Sequence, residues 1–398
     1  MRISTFSMHQ SALDSMLAQQ ASLSRTQNQL STGRRLQTAA DDPAATVHVL
    51  ELERALAAAE QHRSNSINAK NRLQLEEATV ADATNVLQRV RELALQANSP
   101  ILDGSTRGLL TAEIRSRLDE LVSIANRQDV NGDYLFSGYA AGTQPFVRPA
   151  NSTVQYLGDA GERQQVIGPG QRVTDGHSGD RVFVGVPEGN GAFVLGFAAG
   201  NTGTGILGAG SVVDRSVWDR GSYSVNFTGP GNYEVRDSAN ALVTSGAFQS
   251  GSVISLRGIS FTLSGSPAAG DSFTVRPAAT ESVFSTIDRL VTLTSTPTSS
   301  AADQAKLNSE LGGVLQQFSQ GIDHLLSVRA EIGSRLSAID VADQARETFG
   351  AENKRLLSEL QDVDYADAVT RMNRELLALQ AAQSSYARLA QLSLFNYL

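Results

Sequence analysis

No cysteine occurs in the 398 residues, which removes disulfides, thiolate nucleophiles and cysteine-based zinc sites together. The fold must stand on packing alone. An excess of cations is lacking too: 33 lysines and arginines face 41 aspartates and glutamates, a formal net charge of −8. Neither nucleic-acid phosphates nor an anionic membrane surface is an expected partner of such a chain. No apolar run approaches the roughly 18 residues of a membrane-spanning helix. Residues 1–15 hold one cation, Arg2, and none of the apolar core of a cleaved secretory signal, so no such signal is expected. Histidine is scarce as well. His9, His48, His62, His177 and His324 are too scattered for a metal set by spacing, and no metal or cofactor is expected.

What is present is helical periodicity at both ends with a glycine-rich stretch between them. Leu52, Ala59, Ser66, Leu73, Val80, Leu87 and Ala94 recur every seventh residue, which is coiled-coil spacing. Asp42 followed by Pro43 supplies an N-cap and a first-turn proline, and Pro100 stops the far end. A shorter helix carrying Leu110, Ile114, Leu118, Leu121 and Ala125 should end near Asn131-Gly132. In the C-terminal third, Ser300 and Asp303 have capping-box spacing ahead of a second stripe at Leu311, Phe318, Leu325, Ile332 and Ile339. Two matched stripes predict helices packed antiparallel. Between about 141 and 279, short alternating segments such as Ser222 to Thr228, Tyr233 to Arg236 and Ser272 to Val275 predict strands and turns.

The fold class is therefore α+β: long helical arms from both chain ends with a β-rich insertion. Three domains are expected: 1–44 with 355–398, 45–140 with 280–354, and 141–279. The outermost helices have dilute seams. Phe6, Leu13, Gln20 and Gln27 share one heptad position near the start, and Val369, Leu376, Gln383 and Ala390 share one near the end. Half-polar seams bury too little to order helices of this length in isolation, so both segments are expected to order only in an assembly.

Catalytic chemistry is not encoded in any recognisable pattern. Asp175, His177 and Ser178 lie too close in sequence for triad geometry and read as a solvated turn. Asp129, Asn131 and Asp133 begin like a calcium loop, but Tyr134 replaces the required glycine and Ala140 the bidentate glutamate. Gly203, Gly205 and Gly208 have dinucleotide-loop spacing without a capped helix behind them, and read as a turn. No enzymatic activity is expected.

Ser31-Thr32-Gly33-Arg34-Arg35-Leu36 followed by Ala39-Ala40-Asp41-Asp42-Pro43-Ala44 resembles the N-terminal segment of the flagellins. Asn131-Gly132-Asp133-Tyr134-Leu135-Phe136-Ser137-Gly138 and Arg329 to Leu336 are similar to segments of the same superfamily. The opening Met1 to Thr5, the closing Leu392 to Leu398, Asn201 to Gly205 and Gly265 to Phe273 look like its hook-associated branch. The resemblance implies a structural adaptor of the bacterial flagellum between hook and filament, the alternative being a flagellin filament subunit. It implies as partners further copies of the chain, the first hook-associated protein, flagellin, an export chaperone and the flagellar type III export apparatus. It also implies a secreted, extracellular location and an inner layer of paired terminal helices. Periodicity assigns Leu13, Met16, Leu23, Leu30, Met372, Leu376, Leu379 and Tyr386 to that layer.

Overall fold

The computed structural model describes residues 5–99, 104–149, 153–229, 231–297 and 300–391. Pro100, Met1 to Ser4 and Leu392 to Leu398 lie outside the described residues. Six α-helices are present among them: α1 (Thr5–Thr32), α2 (Pro43–Ala97), α3 (Gly104–Ala125), α4 (Val283–Ser295), α5 (Ala301–Gln361) and α6 (Tyr365–Gln391). The chain divides into two compact units, one of 1–64 and 341–398, the other of 65–340. Both α2 and α5 contribute residues to each.

In the second unit the heptad stripe of α2 is the core. Ser66, Leu73, Val80, Leu87 and Ala94 are fully buried, as are Leu311, Leu325, Ile332 and Ile339 of α5. Full burial of each large apolar side chain is worth about 1.5 to 3 kcal/mol. Cross-helix ion pairs fix the direction: Lys70 reaches Asp340 at 2.6 Å and Glu77 reaches Arg329 at 2.6 Å, so residue numbers fall on α5 as they rise on α2. The helices are antiparallel, as the matched stripes predict. α3 and α4 form a second antiparallel pair, with the buried Thr111 hydroxyl donating to that of Thr294 and Arg148 bridging Asp119 and Asp288. α3 stops at Ala125 rather than near Asn131-Gly132, because the Asn126 side chain leaves the helix to exchange two hydrogen bonds with the Phe146 backbone.

Both helix-start signals have the geometry that the sequence implies. Asp42 Oδ1 accepts from Ala45 N–H at 3.0 Å, ahead of Pro43. Ser300 Oγ accepts from Asp303 N–H at 3.1 Å while Asp303 Oδ2 accepts from Ser300 N–H at 3.0 Å, a reciprocal capping box. Ser300→Ala is expected to cost about 1 kcal/mol. Faster amide exchange confined to the first turn of α5 would show it, and unchanged exchange there would refute it.

The β-rich insertion centres on a sandwich of eight antiparallel strands: β1 (Phe193–Phe197), β2 (Ile206–Val212), β3 (Tyr223–Gly229), β4 (Asn232–Asp237), β5 (Leu242–Ala247), β6 (Ser252–Leu256), β7 (Ile259–Ser264) and β8 (Ser272–Pro277). One sheet has the order β5-β4-β3-β8-β1 and the other β6-β7-β2. Alternation with period two puts Tyr223, Val225 and Phe227 of β3, and Ile259, Phe261 and Leu263 of β7, into a shared core with Phe273 and Val275. Outside the sandwich, a hairpin of Gln164–Gly168 and Gln171–Thr174 leads to a π-helical turn, Asp180–Val184. That turn delivers Phe183 to a cluster with Phe136, Phe146 and Phe284.

Candidate assembly surface

The first unit is built on a hairpin of α1 and α6. Ser22 Oγ donates to Glu375 Oε1 at 2.6 Å, and the His9 and Tyr386 rings meet edge to face at 5.7 Å, so these two helices also run antiparallel. The sequence segment 31–36 closes the hairpin. Gly33 ends α1 with φ +71° and accepts from Val363 N–H at 2.9 Å, while Arg35 N–H donates to Gln361 O at 2.7 Å and Arg35 Nη2 to Leu360 O at 2.7 Å. Arg34 and Asp362 complete a single antiparallel bridge. Asp41 then ties the exit loop: its carboxylate accepts from the N–H groups of Thr38 and Gln37, which hold its pKa below the usual carboxylate value. The basic residue and the glycine of this segment therefore have structural work at the joint. Gly33→Ala would meet the Tyr365 hydroxyl at 3.1 Å and would force a left-handed backbone on alanine. A loss of about 1 to 2 kcal/mol is expected, read as a lower thermal midpoint of helical circular dichroism; an unchanged midpoint would count against this account of the joint.

All eight residues that periodicity assigns to the inner layer lie on α1 or α6, but only Leu23 is buried. Leu13 is 41 % exposed, and Met16, Leu30, Met372, Leu376, Leu379 and Tyr386 are half-buried. The buried positions on α1 include Thr26 and Gln29, so polar side chains take part in the seam itself. Met8, Leu17, Val369 and Leu377 stand 42 to 66 % exposed on the same two helices. Of these, Met8, Leu17 and Leu377 escape the heptad reading because they sit one place off its stripe. The pair thus leaves several apolar side chains that its own contacts do not cover.

In the second unit a buried polar node joins α2 and α5 to the loops before the sandwich. Arg72, 7 % exposed, donates from Nη1 to Asp129 Oδ2 at 2.8 Å and from Nη2 to the carbonyls of Tyr134 and Leu135 at 3.2 Å. Burial pulls its pKa down from the ordinary value, with Arg163 adding to the fall and Asp175, Asp129 and Glu76 opposing it. Glu76 Oε1 accepts from His177 N–H at 3.0 Å and lies 2.8 Å from Nδ1 of the same residue, whose Nε2 is 3.3 Å from Glu331 Oε2. Arg181 bridges Glu162 and Glu331 at 2.9 and 2.7 Å.

This node corrects the reading of Asp175, His177 and Ser178 as a solvated turn. All three are buried, because partners more than a hundred residues away on α2 and α5 take up the imidazole and the loop. The imidazole faces glutamates rather than Ser178 or Asp175, and no triad forms. Asp129, the first residue of the apparent calcium loop, gives one oxygen to Arg72 and the other to the N–H groups of Asn131 and Asp133. Gly203 is held in a turn by the buried Asp271 carboxylate, whereas Gly208 lies within β2.

Comparison with known proteins follows these divisions. Models of the bacterial flagellin N-terminal helical region match residues 3–141 and of the C-terminal helical region residues 315–398, and a model of the D2-like domain of flagellar hook-associated protein 1 matches 198–277. The crystal structure of Xanthomonas campestris FlgL is 37 % identical, with a TM-score of 0.72 over 77 % of this chain and 99 % of that one. The chain belongs to the flagellar hook-associated protein 3 family. The flagellar junction protein FlgL of Legionella pneumophila is similarly related, 30 % identical with a TM-score of 0.71 over 79 % of this chain and 99 % of that one. Flagellar hook-associated protein 3 of Escherichia coli K12 aligns at 23 % identity over 100 % of this chain and 99 % of its own length. Flagellin of the same organism aligns over only 28 % of this chain. Helical arms are thus common ground with flagellins, whereas the match along the whole length, insertion included, is to hook-associated protein 3.

Proposed function

We propose that this chain is the structural adaptor that joins the flagellar hook to the filament, a mechanical part and not an enzyme. The observation that carries this reading is the end-to-end match to hook-associated protein 3, including a relative described as a junction protein, beside a flagellin match confined to part of the chain. Its surroundings are the hook and filament components of the flagellum. Within that setting the hook-side partner is the first hook-associated protein, the filament-side partner is flagellin, and neighbouring subunits are further copies of the chain. A head-to-tail ring needs two different complementary faces on each subunit.

The inner layer is formed by 1–44 with 355–398, the surrounding layer by 45–140 with 280–354, and the outward face by 141–279. Uncovered apolar side chains on α1 and α6, Leu13 and Leu377 among them, support this assignment. Leu23, Leu30, Met16, Met372, Leu376, Leu379 and Tyr386 pack between and beside these helices in the assembled state. The chain is exported unfolded through the flagellar type III apparatus, escorted by a chaperone, and its terminal helices gain full order on assembly outside the cell.

Electron microscopy of a strain lacking this gene, with flagellin assayed in the medium, tests the function. Bare hooks with flagellin lost to the medium are expected. Filaments still attached to hooks would overturn the adaptor role and favour a dispensable filament subunit.

A further inference from the structure

Of the node's three buried polar atoms without a hydrogen-bond partner among the described residues, Asp175 Oδ1 lies 3.6 Å from Arg163 Nε; the other two are Arg72 Nε, a donor, and Glu76 Oε2, an acceptor. The Arg72 and Glu76 side chains are both more than nine-tenths buried. They converge on one spot. A Cβ built on Gly176 would lie 3.5 Å from Arg72 Nε, 3.6 Å from Glu76 Oε2 and 4.0 Å from Leu135 O. A cavity of about 10 Å³ lies beside Gly176, lined by Arg72, Leu135, Asp175 and His177 among others, with Glu76 outside its lining. That is about the space of one water molecule. Gly176 is not among the glycines with positive φ, so its backbone does not demand glycine.

We infer that Gly176 is glycine in order to seat one structural water, which accepts from Arg72 Nε–H and donates to Glu76 Oε2 and Leu135 O. The chemistry selects the occupant. An anion would face the Glu76 carboxylate, and a metal cation would face the guanidinium, whereas water both accepts and donates. Three hydrogen bonds is the usual number for a buried water. The bound molecule completes the polar node that couples α2 to the loop carrying His177, so the joint is wet at its centre and leaves neither group unpaired.

Two measurements on the full chain test this. The first compares Gly176→Ala and Gly176→Ser by equilibrium urea unfolding. A methyl at this position makes only ordinary contact with Arg72 and Glu76 but displaces the water. On an unstrained backbone, alanine by itself should stabilise. Gly176→Ala is instead expected to raise the unfolding equilibrium constant about five- to thirty-fold, the cost of leaving a buried donor and acceptor unmade. Gly176→Ser, whose hydroxyl can replace the water, should recover most of that loss. Alanine as stable as glycine, or serine no better than alanine, would overturn the inference. The second measurement does not depend on any variant: a crystal structure of the natural chain at a resolution that orders internal waters. Density bonded to Arg72 Nε and Glu76 Oε2 is expected. Direct pairing of those atoms, or an anomalous peak at the spot after a bromide soak, would refute it.

Discussion

Arg72→Met is expected to destabilise the 65–340 unit by about 3 to 5 kcal/mol, the usual cost of removing one partner from a buried ion pair. Methionine fills much of the space but removes the cation that lies among the carboxylates of Asp129, Glu76 and Asp175, the last two of them buried. The hydrogen bonds to Tyr134 O and Leu135 O are lost as well. Far-ultraviolet circular dichroism of α2 and α5, the helices that the node joins, gives a probe of this unit. Its urea midpoint should fall sharply in the variant. A second substitution, Asp129→Asn, should restore part of the loss, because it removes one of the stranded charges. A loss under about 1 kcal/mol would mean that the node is solvated and behaves as surface ion pairs do.

Phe183→Ala should be comparably severe, about 3 to 5 kcal/mol, the range for a large aromatic removed from a closed core. Phe183 is fully buried, with ring centroids 5.1 Å from Phe136, 5.5 Å from Phe146 and 5.8 Å from Phe284. Those rings come from the loop after α3, from the segment paired with Asn126, and from the first turn of α4. None of the neighbours can move in without abandoning its own contacts, so the cavity should persist. Hydrogen exchange should show α4 and the loop after α3 loosening together while the sandwich stays protected. Equal loosening of the sandwich would mean that the two regions unfold as one and that the cluster is not a separate fastening.

The long helices and both of their starts are legible because heptad stripes and caps are local signals, as at Leu73 and Leu87 or at Ser300 and Asp303. α4 has an equally good pattern in Val283, Phe284, Ile287, Leu290 and Val291, but thirteen residues rich in threonine beside a glycine-rich domain are easily passed over. The node was illegible for a different reason. Asp175, His177 and Ser178 are polar residues in a glycine-rich stretch, and local sequence argues for exposure. What buries them is supplied by Glu76 and Glu331, 101 and 154 residues away from His177. The seam between α1 and α6 was half legible: the heptad reaches Leu23, but Thr26 and Gln29 are buried there too while Leu17 and Leu377 face outward.

The antiparallel pairing of α1 with α6 also sets an order of events for any chain that emerges from its N-terminus. Ser22 meets Glu375 across 353 residues, so the helix that α1 pairs with appears only when nearly all of the chain has. A strongly apolar helix left waiting that long would bind whatever it met first. The glutamines at 20, 27 and 29 and the threonine at 26 make α1 a poor aggregation nucleus during that interval. The weakness of its seam is thus what lets the first helix to appear be among the last to settle.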